Sequence, residues 1–203
     1  MKQKLLALSL AALMILGLTA CGEKPQGEDQ QEVDAAVTED PVNVSIDVAD
    51  YGEIQLELDP NAAPKTVANF VDLVEEGFYD GLTFHRIISG FMIQGGDPLG
   101  NGMGSSDTPV EGEFANNGWE NPISHVRGTI SMARAMDPNS GSCQFFIVHE
   151  DSTFLDGDYA AFGHVTSGME VVDAICEAAE PVDGNGSIDP AAQPVINSIT
   201  VLE

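Results

Sequence analysis

From Val42 onward, apolar and polar residues alternate strictly: Val42, Val44, Ile46 and Val48 share one side, and Ile54, Leu56 and Leu58 repeat the pattern after Asp50-Tyr51-Gly52. Two period-two runs joined by a turn predict a β-hairpin with one buried face. The period then changes. Val67, Phe70, Val71 and Val74 fall at helical spacing behind Pro64, and Gly77 follows the charged end at Glu75 and Glu76, which predicts an amphipathic helix. Ser167 and Glu170 have the spacing of a capping box before Val171, Val172 and Ile175, which predicts a second helix. Between the helices lie short β-type runs at residues 83–88, 128–133, 144–148 and 160–165, separated by Gly, Asn, Asp and Pro, and residues 195–201 read as a closing strand. Many short strands with only two helices predict a mainly β antiparallel barrel or sandwich.

The first forty residues follow other rules. Lys2 and Lys4 precede an apolar run from Leu5 to Leu16 and the small-residue ending Leu18-Thr19-Ala20, the make-up of an export signal over residues 1–20. That run is shorter than the ~20 residues of a comfortable membrane span. Leu18-Thr19-Ala20-Cys21 resembles a bacterial lipobox, which implies that Cys21 is acylated, becomes the mature N-terminus and anchors the chain firmly to a membrane, outside the cytoplasm. Residues 21–41 are rich in Gly, Glu, Asp, Gln and Pro without an aromatic residue, too polar to form a core, so a flexible tether is expected before a domain at residues 42–203.

Charge narrows the partners. Seven Lys+Arg against 33 Asp+Glu give a formal net charge of −26, and such a surface repels nucleic acid and anionic headgroups. With Cys21 assigned to lipid, Cys143 and Cys176 remain; one is placed at a strand and the other in the second helix, and no disulfide between them is expected. His85, His125, His149 and His164 are scattered, without zinc-ligand spacing, so neither metal nor cofactor is expected.

The most distinctive stretch is Phe84-His85-Arg86-Ile87-Ile88-Ser89-Gly90-Phe91-Met92-Ile93-Gln94-Gly95-Gly96-Asp97. With Gly128-Thr129-Ile130-Ser131-Met132-Ala133, Gln144-Phe145-Phe146-Ile147, Phe154-Leu155-Asp156-Gly157 and Phe162-Gly163, in that order and spacing, it resembles the cyclophilin family from about Val42 to the C-terminus. The resemblance implies an eight-stranded antiparallel β-barrel capped by two α-helices, a groove for proline-containing peptides, and peptidyl-prolyl cis-trans isomerase activity.

The implied roles make chemical sense. Rotation about a peptide bond meets a barrier of ~18–20 kcal/mol because the nitrogen lone pair is delocalised. In the twisted state that lone pair is localised on nitrogen, so a donor aimed at it binds the transition state better than either planar isomer. Arg86 is the implied catalytic donor; Phe91, Met92, Phe146 and Leu155 form the implied proline pocket. Gln94 holds either Arg86 or a substrate amide, the backbone at Ala133 and Arg134 grips the residue before proline, and Gln144, Phe154 and Tyr159 complete the groove. His85 is read as packing, because isomerisation transfers no proton. Gly95-Gly96 and the loop at residues 99–106 invite comparison with a phosphate cradle, but no Gly-Lys-Ser/Thr follows.

Three groove positions depart from the familiar eukaryotic members, which carry tryptophan at Phe154, histidine at Tyr159 and asparagine at Arg134. The departures bear on peptide preference and on sensitivity to the cyclic peptide cyclosporin. The expectation is a monomeric, membrane-anchored isomerase that acts on proline segments of unfolded exported proteins. Its rival is an anchored peptide-binding or chaperone module without catalysis.

Overall fold

The computed structural model describes residues 39–202. The export signal, Cys21 and nearly all of the tether lie outside the described residues. No helix among the described residues is long and apolar enough to cross a membrane. The strands are β1 (Val42–Val48), β2 (Gly52–Leu58), β3 (Phe84–Ile88), β4 (Met92–Gly95), β5 (Thr129–Met132), β6 (Phe145–Val148), β7 (Ala161–Ser167) and β8 (Ile196–Val201). The helices are α1 (Pro64–Glu75) and α2 (Met169–Ala178). All strand pairings are antiparallel, in the order β3-β4-β6-β5-β7-β2-β1-β8.

The two end strands meet. Gly81 N–H donates to Ile196 O at 2.8 Å, Ile196 N–H to Leu82 O at 2.8 Å and Phe84 N–H to Pro194 O at 3.0 Å, closing the sheet into a barrel. Its interior takes the inward positions of the hairpin: Val44, Ile46, Val48, Ile54, Leu56 and Leu58 are all buried. Helix α1 adds Val67, Phe70, Leu73 and Val74, and the Phe70 ring lies 5.1–5.5 Å from the rings of Tyr79, Phe145 and Phe162. Each buried side chain of this size stabilises the fold by roughly 1.5–3 kcal/mol. Cys143 and Cys176 are both buried, with free thiols.

The two helix starts differ from simple capping. The expected Ser167–Glu170 box does not form: Ser167 still belongs to β7, and Gly168 is the N-cap, with no side-chain cap bond. A left-handed backbone is needed there, with φ of 89°, and a Cβ on Gly168 would stand 2.2 Å from Glu53 O, so only glycine fits. Glu170 remains in the first turn, where a carboxylate favours the helix dipole. Helix α1 also lacks a local side-chain cap. Its free N–H groups are met by buried Glu113, which accepts from Lys65 N–H (2.9 Å), Thr66 N–H (2.8 Å) and the Thr66 hydroxyl (2.7 Å).

Candidate active site

Strand register assembles the site. Arg86 on β3 faces Gln94 on β4, Gln94 faces Phe146 on β6, and Phe146 faces Ser131 on β5, so four strands line up one row of side chains. Alternation sends Ile93, Phe145 and Ile147 into the barrel and leaves Met92, Phe146 and Val148 on the other face. There, with Leu155, they form a second apolar cluster joined by Phe91, Ala133 and Tyr159. Because β5 and β6 are covered on both faces, all of their residues are buried.

Over this cluster opens a pocket of about 330 Å³ lined by Arg86, Phe91, Met92, Gln94, Ala133, Arg134, Phe146, Phe154, Leu155 and Tyr159. Ten of the eleven residues expected in the groove thus converge. The eleventh, Gln144, lines an adjoining cavity of about 290 Å³ that shares Gln94, Ala133 and Arg134 with the first. Phe154 forms the outer lip, 72% exposed, with its ring 5.6 Å from that of Phe91.

Arg86 is half-buried and tightly directed. Its Nε–H donates to Asn185 O at 2.8 Å and its Nη1 to Gln94 Oε1 at 3.1 Å, with the guanidinium carbon 5.9 Å from the Phe91 ring centroid. Burial pulls its pKa below the ordinary arginine value, with Tyr159 and Asp183 opposing, and the guanidinium stays a cation at neutral pH. Of the two roles left open for Gln94, the hold on Arg86 is present in this structure. Its amide is itself oriented, since Nε2 donates to Gln144 Oε1 (2.9 Å) and Gln144 Nε2 donates to Gly104 O (2.8 Å).

The glycine-rich loop turns out to be self-satisfied. Burial raises the Asp97 pKa, but N–H donors from Leu99 (2.8 Å), Asn101 (2.9 Å) and Gly102 outweigh it and hold the carboxyl below its usual range. Three of the loop's N–H groups are therefore occupied by the chain's own carboxylate. Gly96 has φ of 80°, and a Cβ there would come 2.6 Å from Cys143 O, so close packing accounts for this glycine. His85 is 4% exposed and neither ring nitrogen has a partner among the described residues; burial lowers its pKa, in keeping with a packing role.

Sequence reasoning missed His125. Its ring stacks behind Phe146 at 6.0 Å and 18°, Nδ1–H donates to Asp156 at 2.8 Å, and Nε2 lies 3.0 Å from the Ser131 hydroxyl. It therefore ties the pocket floor to the loop that carries Phe154 and Leu155. Burial pushes its pKa down, with Asp156 opposing, which favours the neutral ring. Only the Asp156 of the Phe-Leu-Asp-Gly motif hinted at this contact, because His125 itself stands in an irregular segment.

A sealed antiparallel barrel with a directed guanidinium at the rim of an outer apolar pocket is a scaffold built to take an apolar ring beside a fixed cation. Residues 43–201 match the family model described as cyclophilin type peptidyl-prolyl cis-trans isomerase/CLD. A probable peptidyl-prolyl cis-trans isomerase of Brucella suis is 43% identical over 164 residues, covering 75% of this chain and 81% of the relative. Peptidyl-prolyl cis-trans isomerase B of Bacillus subtilis is 51% identical over 121 residues, 60% of this chain and 81% of the relative. Among solved structures, a Cryptosporidium parvum cyclophilin type isomerase, determined in the presence of the dipeptide Ala-Pro, has a TM-score of 0.70 at 31% identity, covering 79% of this chain and 99% of that one. The chain belongs to the cyclophilin-type peptidyl-prolyl cis-trans isomerase family, and its enzyme class is that of the isomerases acting on Xaa-Pro bonds.

Proposed function

We propose that this protein, anchored outside the cytoplasm through acylated Cys21, accelerates Xaa-Pro isomerisation in exported proteins as they fold, and that Arg86 carries the rate gain. The observation behind this reading is the fixed guanidinium of Arg86 at the rim of the apolar pocket. The proline ring enters among Phe91, Met92, Phe146 and Leu155, while the chain before it lies along Ala133 and Arg134. Nη2 of Arg86, which has no partner among the described residues, points its N–H groups at the prolyl nitrogen as the bond twists. Gln94 and Asn185 prevent the long side chain from wandering, so little orientation is lost on reaching the transition state. A gain of 10⁴ in rate needs only about 5.5 kcal/mol, within reach of one charged donor plus orientation. The groove is complete within one chain, which suits a monomer. The dipeptide in the Cryptosporidium relative supports proline segments as ligands here, and an uncatalysed step of ~10–100 s makes them worthwhile clients.

The test is exchange NMR on a short Xaa-Pro peptide with the mature protein. Acceleration of interconversion supports catalysis; binding without acceleration would favour the non-catalytic rival. Mass spectrometry of the mature N-terminus tests the anchor, which an unmodified Cys21 would overturn.

A further inference from the structure

Residues 39–202 contain four Lys or Arg side chains: Lys65, Arg86, Arg127 and Arg134. Two are neutralised. Lys65 pairs with Glu111, and Arg127 grips Asp173 with two bonds of 2.7 and 2.8 Å. Arg86 and Arg134 have no carboxylate partner among the described residues, and both line the 330 Å³ pocket. Among the described residues no Asp or Glu lines that pocket or the adjoining cavity, although residues 39–202 contain 27 of them. Charge is thus sorted: an anionic exterior surrounds a groove whose only charges are two cations.

The Arg86 side chain has a task in the reaction; at Arg134 only the backbone has one, and the side chain has none assigned. Its guanidinium is nevertheless held as firmly. Nε–H donates to Asp158 O at 2.8 Å and Nη1 to Ala135 O at 2.9 Å, while the guanidinium carbon lies 4.7 Å from the Tyr159 ring centroid and 5.1 Å from that of Phe114. The nearby Asp158 carboxylate accepts from Asn116 at 2.8 Å and forms no ion pair with Arg134. Carbonyls and rings fix the cation without cancelling it, and Nη2 has no partner among the described residues. Arg134 stands on the wall common to both cavities, and the second cavity adds the polar groups of Gln144, Ser105, Ser140 and Ser142. A pre-ordered guanidinium lining a cavity with such polar groups is a receptor for a carboxylate.

We propose that Arg134 makes the groove selective for proline segments carrying an aspartate or glutamate one or two positions before the proline. This rests on the reading of the groove as a proline-peptide site. The outer carboxylates do not cancel the preference, because at physiological ionic strength fields are screened within about 8 Å, whereas a contact pair in a cleft is screened far less.

The experiment compares four peptides, with Glu or Lys placed either one or two positions before proline and alanine at the other position. Interconversion is measured by exchange NMR with the mature full-length protein at about 0.15 M salt. At one of the two positions the Glu peptide should exceed its Lys counterpart in kcat/KM by about fivefold or more. R134Q should bring that ratio close to one, and R134K should keep part of it. The ratio is internal to each variant, so a change in overall activity does not obscure it, and thermal unfolding identifies a variant that has lost its fold. Ratios at or below one at both positions in the wild type, or an unchanged ratio in R134Q, would overturn the proposal. If no peptide is isomerised, the catalytic reading fails on its own; the ratio of dissociation constants for the same peptides then decides the matter for Arg134 by the same criteria.

Discussion

Replacing Arg86 by alanine removes the one donor assigned to the twisted prolyl nitrogen and leaves the pocket walls in place. A hydrogen bond from a charged group nets about 1.5–3 kcal/mol, equivalent to roughly 10- to 150-fold in rate. The guanidinium is prepositioned by Asn185 at 2.8 Å and Gln94 at 3.1 Å, which places the expected loss toward the upper end, about 100-fold in kcat/KM. Because the donor acts on the transition state more than on either planar isomer, the fall should appear in kcat with KM little changed. Arg86→Lys should recover little, since one ammonium cannot keep both anchors and still address the substrate. Unfolding should hardly move: Asn185 is exposed, and the Gln94 oxygen released on truncation faces the open pocket, where water can replace the bond. Exchange NMR on an Ala-Pro peptide, with a thermal melt of each variant, measures both halves. Activity within threefold of wild type, or a loss confined to KM, would refute the assigned role.

Other consequences are equally open to measurement. Glu113→Ala strips three bonds from the start of α1 and should cost about 3 kcal/mol, a fall of about 10 °C in Tm, with Glu113→Gln intermediate; a loss below 1 kcal/mol would show that water replaces the cap. The folded state resists protonation of His85, while the unfolded chain takes up that proton near pH 6.5, so stability present above that pH is lost as pH falls below it. Melting from pH 7.5 to 5 should therefore show a shallower decline in His85→Phe than in wild type, and identical slopes would count against this. Phe154→Trp restores an indole donor and apolar area to the exposed lip and should tighten cyclosporin binding by about tenfold in calorimetric titration; equal affinities would reject it.

Local rules made the strands and helices legible but left barrel and sandwich open, a choice made only by the motif resemblance. The β1–β2 hairpin and α1 follow from period two and period 3.6, and the observed boundaries differ from expectation by a residue or so. Four of the short apolar runs became β3, β5, β6 and β7, but periodicity could not say which face of β5 or β6 was core, because both are. The pocket residues were legible only through the motif resemblance; composition alone would have placed Phe91, Met92 and Phe146 inside the barrel. What stayed hidden is non-local. The contact of Arg86 with Asn185 spans 99 residues and the Glu113 cap of α1 spans 47 or 48, distances at which no periodic pattern carries information. The failed Ser167 cap was overruled by the close approach of Gly168 to β2.

The seam between Gly81–Phe84 and Pro194–Ile196 matters beyond shape. On the proposed function, this protein spends its working life among chains that have not yet folded, many with segments ready to extend any bare row of N–H and C=O groups. An open sheet would offer them such a row and could be drawn into aggregates with its own clients. Here the backbone groups where the two ends meet bond one another, and farther along β3 the exposed edge is taken by the segment at Gly186–Ile188. Client segments meet side chains at the groove, from which they can leave, and find at the seam no ladder on which to grow.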